Sequence, residues 1–289
     1  MGALFFPILM ILIAMFSIQF GASIAKSLFP LIGAGATSGL RLFFASLILL
    51  VIWRPWKSPL NKRARWSILI YGISLGLMNL FFYLALERIP LGIVVALEFT
   101  GPLGVALLQS KNRFDFLWAF LAALGLYLIL PFHSLSPNLD LLGILWALGA
   151  GVFWGLYIIF GQKAGQNENL GAVTSLGMLV AALVVLPFAF FLTSPQSLSV
   201  RIFPLAILVA ILSSALPYSL EMIALKKIHS KTFGILMSLE PAIATLMGYW
   251  NLNESLTLTQ LTALTCIVLA SLGAALNIHQ KDNIHEPSN

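Results

Sequence analysis

Charged residues are scarce in this chain. Only 9% of its 289 residues are charged, while 60% are hydrophobic and the mean hydropathy is +0.97. A soluble domain carries about 25% charged residues, so this chain has too little polar surface to cover a globule in water. The composition therefore excludes a soluble enzyme, a nucleic-acid-binding domain and a disordered protein. It predicts a protein that lies almost wholly in a membrane.

Residues that enzymes use for chemistry are also few. The one cysteine, Cys266, cannot form an internal disulfide and lies in an apolar run, where it should pack as a small apolar side chain. The sequence has no histidine pair at metal-ligand spacing, no phosphate-binding glycine loop and no G-x-S-x-G motif. An intramembrane hydrolase would need a base beside its nucleophile, and every histidine lies outside the predicted spans, at His133, His229, His279 and His285. We therefore expect no enzyme activity, no cofactor and no metal site.

Long apolar runs predict ten membrane-spanning helices. Each such helix needs about 20 apolar residues, so ten helices leave only short connections and no room for a separate domain outside the membrane. The runs are continuous and do not alternate with polar residues, which favours helices over a barrel. The expected fold is an all-α membrane protein with spans at roughly 4–25, 33–53, 66–87, 90–110, 115–132, 139–160, 170–192, 201–222, 231–250 and 257–277.

Basic residues are distributed unevenly between the two sets of predicted loops. If the amino terminus is cytoplasmic, 12 of the 16 Lys and Arg residues fall on that side. Because positive charge marks cytoplasmic loops, we expect both termini in the cytoplasm, and the net charge of +6 then points to topology and not to nucleic acid. The cytoplasmic group is Arg54, Lys57, Lys62, Arg63, Arg65, Lys111, Arg113, Lys163, Lys226, Lys227, Lys231 and Lys281, and the outer group is Lys26, Arg88 and Arg201.

The two halves of the chain show a weak similarity. A shift of 139 residues, for instance, places Pro102 on Pro241. Because each half has five spans, an odd number, the second half must enter the membrane inverted. We expect residues 1–135 and 136–280 to form two inverted five-helix repeats, followed by a cytoplasmic tail at 281–289. Inverted repeats build transporters whose substrate site lies near the midplane between the halves.

A charge buried in a membrane span costs about 2.5–3.5 kcal/mol, which makes four charged side chains candidates for function: Arg41, Glu98, Glu221 and Glu240. Glu98 and Glu240 lie about 12 to 13.5 Å along their helices, whereas Glu221 lies nearer a span end. Acids at mid-membrane depth suit the binding of a cationic group or a proton, although a structural pairing with Arg41 or a bond to the backbone explains them as well. Arg41 is a candidate either to bind a substrate carboxylate or to neutralise a glutamate.

Prolines interrupt the spans that hold these acids. Pro102 cannot donate a hydrogen bond to the carbonyl of Glu98, and a carbonyl freed in lipid needs another partner. This favours a position that faces protein or water. The candidates for helix breaks or gating are Gly101, Pro102, Pro217 and Pro241. Further candidates to line a cavity are Gln19, Asn79, Tyr218, Phe16 and Tyr83, for which helix–helix bonding or packing is an equal alternative.

Several strings of residues, spread from the first predicted span towards the last, are distinctive. They are GAS and AKSLFP within 21–30, PLGI at 90–93, VALEFTGPL at 95–103, ALPYSLEMIAL at 215–225, TFG at 232–234, LMS at 236–238 and EPA at 240–242. On these strings the chain resembles the drug/metabolite transporter superfamily, specifically its EamA-type members. Among those members it is most similar to the exporters of threonine and homoserine in the bacterial inner membrane.

The resemblance implies a secondary active exporter of small neutral amino acids, working in exchange for protons and needing no cofactor. Efflux of other small metabolites or of cationic drugs is the alternative. A passive channel and an intramembrane enzyme are remote alternatives. The expected partners are a small amino acid, protons and membrane lipid. The sequence leaves the physiological substrate, the coupling ion and the oligomeric state open.

Overall fold

The computed structural model describes residues 2–58, 60–109, 115–129, 140–165, 168–192, 200–225 and 236–285. These residues form helices and short connections, with no strand among them. The predicted repeat boundary at 135/136 and the predicted start of the ninth span at 231–235 lie outside this part of the chain. The helices are α1 Gly2–Lys26, α2 Phe29–Trp53, α3 Lys62–Leu86, α4 Leu91–Glu98, α5 Thr100–Gln109, α6 Asp115–Ile129, α7 Leu141–Gly165, α8 Leu170–Leu192, α9 Phe203–Ala210, α10 Leu216–Leu225, α11 Glu240–Leu252 and α12 Leu258–His285.

Six stretches of the described chain are helical, long and apolar enough to cross a membrane. Two shorter apolar helical stretches cover Leu91–Val105 and Leu258–Ala270. Large apolar side chains also point outward, since Val51 is 66% exposed and Leu183 is 61% exposed, as expected where lipid replaces water. The protein is therefore an all-helical, multi-pass membrane protein. The six long stretches are Phe6–Lys26, Phe29–Lys57, Ala64–Leu86, Leu141–Gly165, Leu170–Phe188 and Phe203–Glu221.

Three of the predicted spans, the fourth, the eighth and the ninth, are broken helices. The fourth, 90–110, is α4 followed by α5, and Phe99 forms the turn between them. Because α5 restarts at Thr100, Pro102 lies in its first turn, where the missing N–H has no helical acceptor to lose. Pro241 likewise lies in the first turn of α11, just after a turn at 238–239. The prolines thus follow helix restarts and do not kink continuous helices.

The eighth predicted span, 201–222, is broken differently. A π turn, Ile211–Ala215, separates α9 from α10. In π geometry the carbonyl of Leu212 would accept a bond from residue 217, but that residue is Pro217 and has no N–H. Ser17 on α1 donates its hydroxyl to this carbonyl at 2.6 Å. A carbonyl left open in the membrane interior is thus satisfied by a neighbouring helix.

Small residues bring the broken α4–α5 segment close to α7. Gly143, Ala147, Gly151 and Gly155 recur every four residues along α7, and all are buried. A Cβ atom added at Gly151 would lie 2.7 Å from the carbonyl oxygen of Glu98, and one added at Gly101 would collide with the Gly151 backbone. Such small-residue faces allow helices in membranes to approach closely. They fix where Glu98 lies.

Helix pairing is regular across the bundle. The pairs are α3 with α7, α1 with α10, α2 with α8, α4 with α11 and α6 with α12. In α2, Gly33 has φ +80, which only glycine adopts easily, and the main body of the helix runs on from there. At the other end of the chain, α12 continues to His285. The first residues of the predicted tail, 281–285, are therefore helical.

Candidate functional site

A buried hydrogen bond joins α1 to α11 in the centre of the bundle. The side-chain amide of Gln19 donates to Oε1 of Glu240 at 3.0 Å, and the two residues are 1% and 5% exposed. The other oxygens of this pair, Oε1 of Gln19 and Oε2 of Glu240, have no hydrogen-bond partner. Buried polar atoms in proteins are nearly always bonded. The pair therefore has capacity left for a ligand.

Arg41 lies on α2 and is 3% exposed. Its guanidinium carbon is 4.7 Å from the centroid of the Tyr83 ring, a cation–π contact. Its Nε and Nη2 atoms lack hydrogen-bond partners, and no ion pair within the described residues joins it to a carboxylate. Direct neutralisation by a glutamate, one of the two roles expected for Arg41, is thus not what the structure shows there. Its free donors form a fork suited to a carboxylate.

Glu98 ends α4 and is 7% exposed. It lies within electrostatic reach of both Glu240 and Arg41. Helices from both halves of the chain therefore place two acids and one guanidinium in a single buried region. We call Gln19, Arg41, Glu98 and Glu240 the central cluster.

A second group of polar side chains lies beside the central cluster. The rings of Tyr71 and Tyr157 stack with centroids 4.9 Å apart. Glu221 acts electrostatically on both and on Tyr218, and its Oε1 is buried without a partner. Tyr218 in turn interacts with the side chain of Asn79, whose amide donates to the carbonyl of Leu75 at 2.7 Å. Glu221 is therefore surrounded on one side by the hydroxyl groups of three tyrosines.

The other predicted site residues lie in mixed surroundings. Tyr83 is fully buried against Arg41, and its hydroxyl has no partner. Phe16 is 40% exposed, so its ring is not enclosed as the wall of a buried pocket would be. Gly101 packs against the backbone of Gly151, where an added Cβ atom would collide, whereas one at the neighbouring Gly104 would meet nothing within 4 Å. Pro217 is buried just after the π turn.

Sequence reasoning missed three side chains that join these groups. Tyr71 and Tyr157 face Glu221, and Ser17 holds the carbonyl of Leu212. Each lies within a predicted span and bears a polar atom, which is the one signal that could have marked it. Which neighbour each would meet depends on helix packing.

Comparison with known proteins identifies the family. The EamA-like transporter family matches residues 141–276. The threonine/homoserine exporter RhtA of Escherichia coli strain K12 is 48% identical over 280 residues, which cover 97% of this chain and 95% of RhtA. The chain belongs to the EamA-like transporter family. RhtA of Salmonella typhimurium strain LT2 matches equally well, with the same identity and coverage.

More distant relatives agree with this assignment of the EamA-family chain. An uncharacterized transporter of Synechocystis, sll1319, is 25% identical over 76% of this chain and 69% of its own. One solved crystal structure has 16% identity and a TM-score of 0.63, covering 98% of this chain and 99% of its own, and shows a shared fold. The expected membership of the drug/metabolite transporter superfamily is confirmed, and the EamA-family chain is a transporter and not an enzyme.

Proposed function

We propose that this EamA-family transporter exports small neutral amino acids, threonine and homoserine among them, in exchange for protons. The observation that carries this proposal is the central cluster, where unpaired guanidinium donors of Arg41 and an unpaired carboxylate oxygen of Glu240 share one buried region. A zwitterionic amino acid bears the two complementary charges. RhtA, named for threonine and homoserine, is 48% identical along almost the whole chain, which supports the same substrate class.

The proposed roles follow from charge and geometry. Arg41 binds the substrate carboxylate through two parallel N–H bonds, which its planar fork favours. Glu240, oriented by the amide of Gln19 at 3.0 Å, receives the substrate ammonium. The ring of Tyr83 positions the guanidinium of Arg41 through their cation–π contact. The substrate thereby supplies the partners that the buried atoms lack.

Proton coupling is assigned to Glu98. It lies within electrostatic reach of Glu240 and Arg41, and two nearby carboxyl groups in a low-dielectric site do not both carry charge without a cation. A substrate ammonium and a proton therefore compete for the same pair of acids. Competition of this kind drives proton and amino acid in opposite directions, which is antiport.

The proposed architecture is ten spans in two inverted five-helix repeats, 1–135 and 136–280. The family match covers 141–276, which lies within the second of these repeats. The contact of α3 with α7 has its counterpart in that of α1 with α10, while α2 with α8, α4 with α11 and α6 with α12 each join matching helices. This pattern supports a two-fold relation between the halves. Alternating access then rocks one repeat against the other around the central cluster.

The proposed location is the bacterial inner membrane, with both termini cytoplasmic. A cysteine placed at Ser58, in the basic loop after α2, should resist an impermeant thiol reagent added outside cells. The background is Cys266→Ser, since Cys266 is the one native thiol. Rapid external labelling of Ser58→Cys would reverse the orientation. Cell lysis before labelling provides the control that the thiol is reactive.

Counterflow in proteoliposomes tests the function directly. Vesicles loaded with unlabelled threonine should accumulate labelled threonine and homoserine, and an imposed pH difference should change the rate. Flux of cationic drugs without amino-acid flux would favour the broader efflux function. Ion current far above carrier turnover would indicate a channel. Empty vesicles are the control.

A further inference from the structure

One end of the bundle is held by a second polar group, distinct from the central cluster. Nζ of Lys26, at the end of α1, lies 2.7 Å from Oε1 of Glu254. The other oxygen of Glu254 accepts the backbone N–H of Leu91, the first residue of α4, at 2.8 Å. We call Lys26, Glu254 and the Leu91 amide the latch. It joins residues separated by 228 and 163 positions in the sequence.

Local structure sets the position of Glu254. Helix α11 ends at Leu252, and Asn253 takes the left-handed conformation with φ 53, one that asparagine tolerates better than most residues. The chain thereby turns back, and the amide of Glu254 bonds to the carbonyl of Gly248 at 3.1 Å. A Cβ atom at Gly248 would lie 2.6 Å from Oε2 of Glu254, so glycine leaves room for the carboxylate. The carboxylate then faces both Lys26 and the first turn of α4, whose positive helix end favours it.

The latch joins the three helices that supply the two glutamates and the glutamine of the central cluster. Lys26 lies seven residues after Gln19 on α1, and Leu91 lies seven residues before Glu98 on α4. Seven helical residues span about 10.5 Å. Glu254 follows α11, which begins at Glu240. The latch therefore lies two helical turns from the central cluster on α1 and on α4, and it closes the bundle at that end.

A cavity of about 510 Å³ opens beside the latch. Lys26 and Glu254 line it, together with the amide of Asn251 and the hydroxyl of Ser23, which bond to each other at 3.1 Å. The side chains of Lys26 and Glu254 are 29% and 12% exposed. An ammonium has three donors and a carboxylate oxygen has two lone pairs, so each can take a further partner. The cavity thus offers one positive and one negative group to the same small molecule.

We propose that this cavity is an outer substrate site and that the Lys26–Glu254 pair is the outer gate of the carrier. The ligand class is a zwitterionic amino acid, whose carboxylate binds Lys26 while its ammonium binds Glu254. Each charge of the ligand replaces a charge of the pair, so the gate opens without leaving a bare ion. This inference rests on the proposed export function and on the proposed orientation, which puts Lys26 outside.

Thiol labelling tests the gate without requiring transport. The reporter is Ala22→Cys in the Cys266→Ser protein, because Ala22 is fully buried between Gln19 and Lys26 on α1. An impermeant thiol reagent is added to the outer face of proteoliposomes, and the labelling rate is measured. Glu254→Gln keeps an acceptor for the Leu91 amide but removes the ion pair. We expect it to label about tenfold faster, the factor that corresponds to one lost charge-assisted hydrogen bond.

Matched variants make the result specific. Lys26→Gln removes the pair from the other side and should give the same acceleration. Arg88→Gln breaks another ion pair at the same end, Arg88 with Asp140 at 2.6 Å, and should label at the parent rate. Ser23→Cys serves as a second reporter if Ala22→Cys does not fold. If neither Glu254→Gln nor Lys26→Gln labels faster than the parent, the gate is overturned.

Ligand chemistry is read in the same assay. Threonine added outside should accelerate labelling of the parent, whereas threonine amide, which lacks the carboxylate, should not. Equal acceleration by both compounds would overturn the zwitterion assignment. Failure of the proposed function would be recognised separately. If the gate variants label as expected but no amino acid shows counterflow, the gate is supported and the proposed substrate class is wrong. Amino-acid counterflow with unchanged labelling in the variants would leave the export function in place and remove the gate.

Discussion

The central cluster and the latch share the helices α1, α4 and α11, and α2 adds Arg41 to the central cluster. The polar atoms of the two groups are paired to opposite extents. In the latch, both oxygens of Glu254 have partners, at 2.7 Å and 2.8 Å. In the central cluster, Nε and Nη2 of Arg41, Oε1 of Gln19 and Oε2 of Glu240 have none. The satisfied group lies at a partly exposed end of the bundle, and the unsatisfied group lies in its buried centre.

This difference separates a polar group that is complete without a ligand from one that is not. A buried polar atom without a partner lowers the stability of the fold by about 1–3 kcal/mol, so several such atoms in one place do not stabilise the protein. Their presence is explained if a ligand forms hydrogen bonds with them during part of the transport cycle. The latch, in contrast, stabilises one conformation by itself. We therefore expect changes in the central cluster to affect transport first and changes near the latch to affect conformation or stability.

The strongest test of this division is Glu98→Gln. The substitution keeps the shape and hydrogen bonding of the side chain but removes its titration. We expect the variant to insert and fold, because Glu98 ends α4 and its backbone packing against Gly151 is unchanged. Uphill efflux driven by a pH difference should fall to the background of empty vesicles.

The measurement is labelled threonine flux with and without an imposed pH difference. Glu221→Gln is the matched control, since Glu221 is another acid inside the bundle but lies beside Tyr71, Tyr157 and Tyr218. An unchanged response of Glu98→Gln to the pH difference would make Glu98 structural and direct the search for the coupling acid to Glu240 or Glu221.

Arg41→Lys comes next in expected size. Lysine keeps the positive charge but replaces a planar fork by a point charge, so two parallel bonds to a carboxylate cannot form. The loss of a bond to a charged group, about 1.5–3 kcal/mol, predicts a roughly 10- to 100-fold weaker affinity for threonine. Threonine amide, which has no carboxylate, should be affected much less. The ratio of the two affinities, measured by competition, therefore distinguishes binding from general damage. Near-normal threonine affinity would return Arg41 to a structural role.

A pair of glycines in α5 tests whether packing alone positions the central cluster. A Cβ atom at Gly101 would collide with the backbone of Gly151, whereas one at Gly104 would meet nothing within 4 Å. Gly101→Ala should therefore destabilise the protein by about 1–3 kcal/mol through overpacking. Gly104→Ala should be neutral or slightly stabilising, since alanine favours a helix interior over glycine by up to about 1 kcal/mol.

Thermal unfolding in detergent measures the stability of both glycine variants under identical conditions. We expect Gly101→Ala to lower the Tm by several degrees and to impair flux, because α5 and α7 are pushed apart beside Glu98. If both variants have the Tm of the parent, the close approach of α5 to α7 is not required. The position of Glu98 would then depend on the latch instead.

Much of the fold was predictable because membrane-spanning helices are recognisable from their composition. The scarcity of charge located the apolar runs, and Pro102 marked the region of the α4–α5 break. The form of the breaks was less predictable. Pro241 was expected to interrupt a span but lies in the first turn of α11, because a proline is most easily accommodated where no N–H is needed.

The sites were predictable by residue type and not by pairing. Gln19, Arg41, Glu98 and Glu240 were conspicuous because polar groups are costly in a membrane. That Gln19 donates to Glu240, 221 residues away, depends on how α1 packs on α11. Glu254 gave no such signal, since a glutamate in a short loop is ordinary. Its role in the latch follows from the left-handed turn at Asn253 and from the position of Lys26, neither of which hydropathy records.

The smallest effect should come from Asp140, an exposed acid at the same end of the protein as the latch. The hydrogen bond from Arg88, at 2.6 Å, and the backbone N–H of Leu142 lower the pKa of Asp140 from its usual 3.8. Because the pKa is lower in the folded protein, the ion pair contributes stability above the usual pKa and loses it as the pH falls through the lowered value. Asp140→Asn keeps the oxygen that caps α7 and removes both the charge and the oxygen that accepts the bond from Arg88. At pH 7 we expect a decrease in Tm of about 1 °C, since exposed pairs stabilise proteins weakly, and the difference from the parent should vanish once the pH falls below the lowered pKa of Asp140. Arg88→Gln should lower the Tm at pH 7 by the same small amount and add nothing to Asp140→Asn. A large decrease in the Tm of either variant at pH 7, or a decrease that persists in acid, would show that this end of the bundle depends on more than the Lys26–Glu254 pair. Arg88→Gln could then no longer serve as a control for the gate.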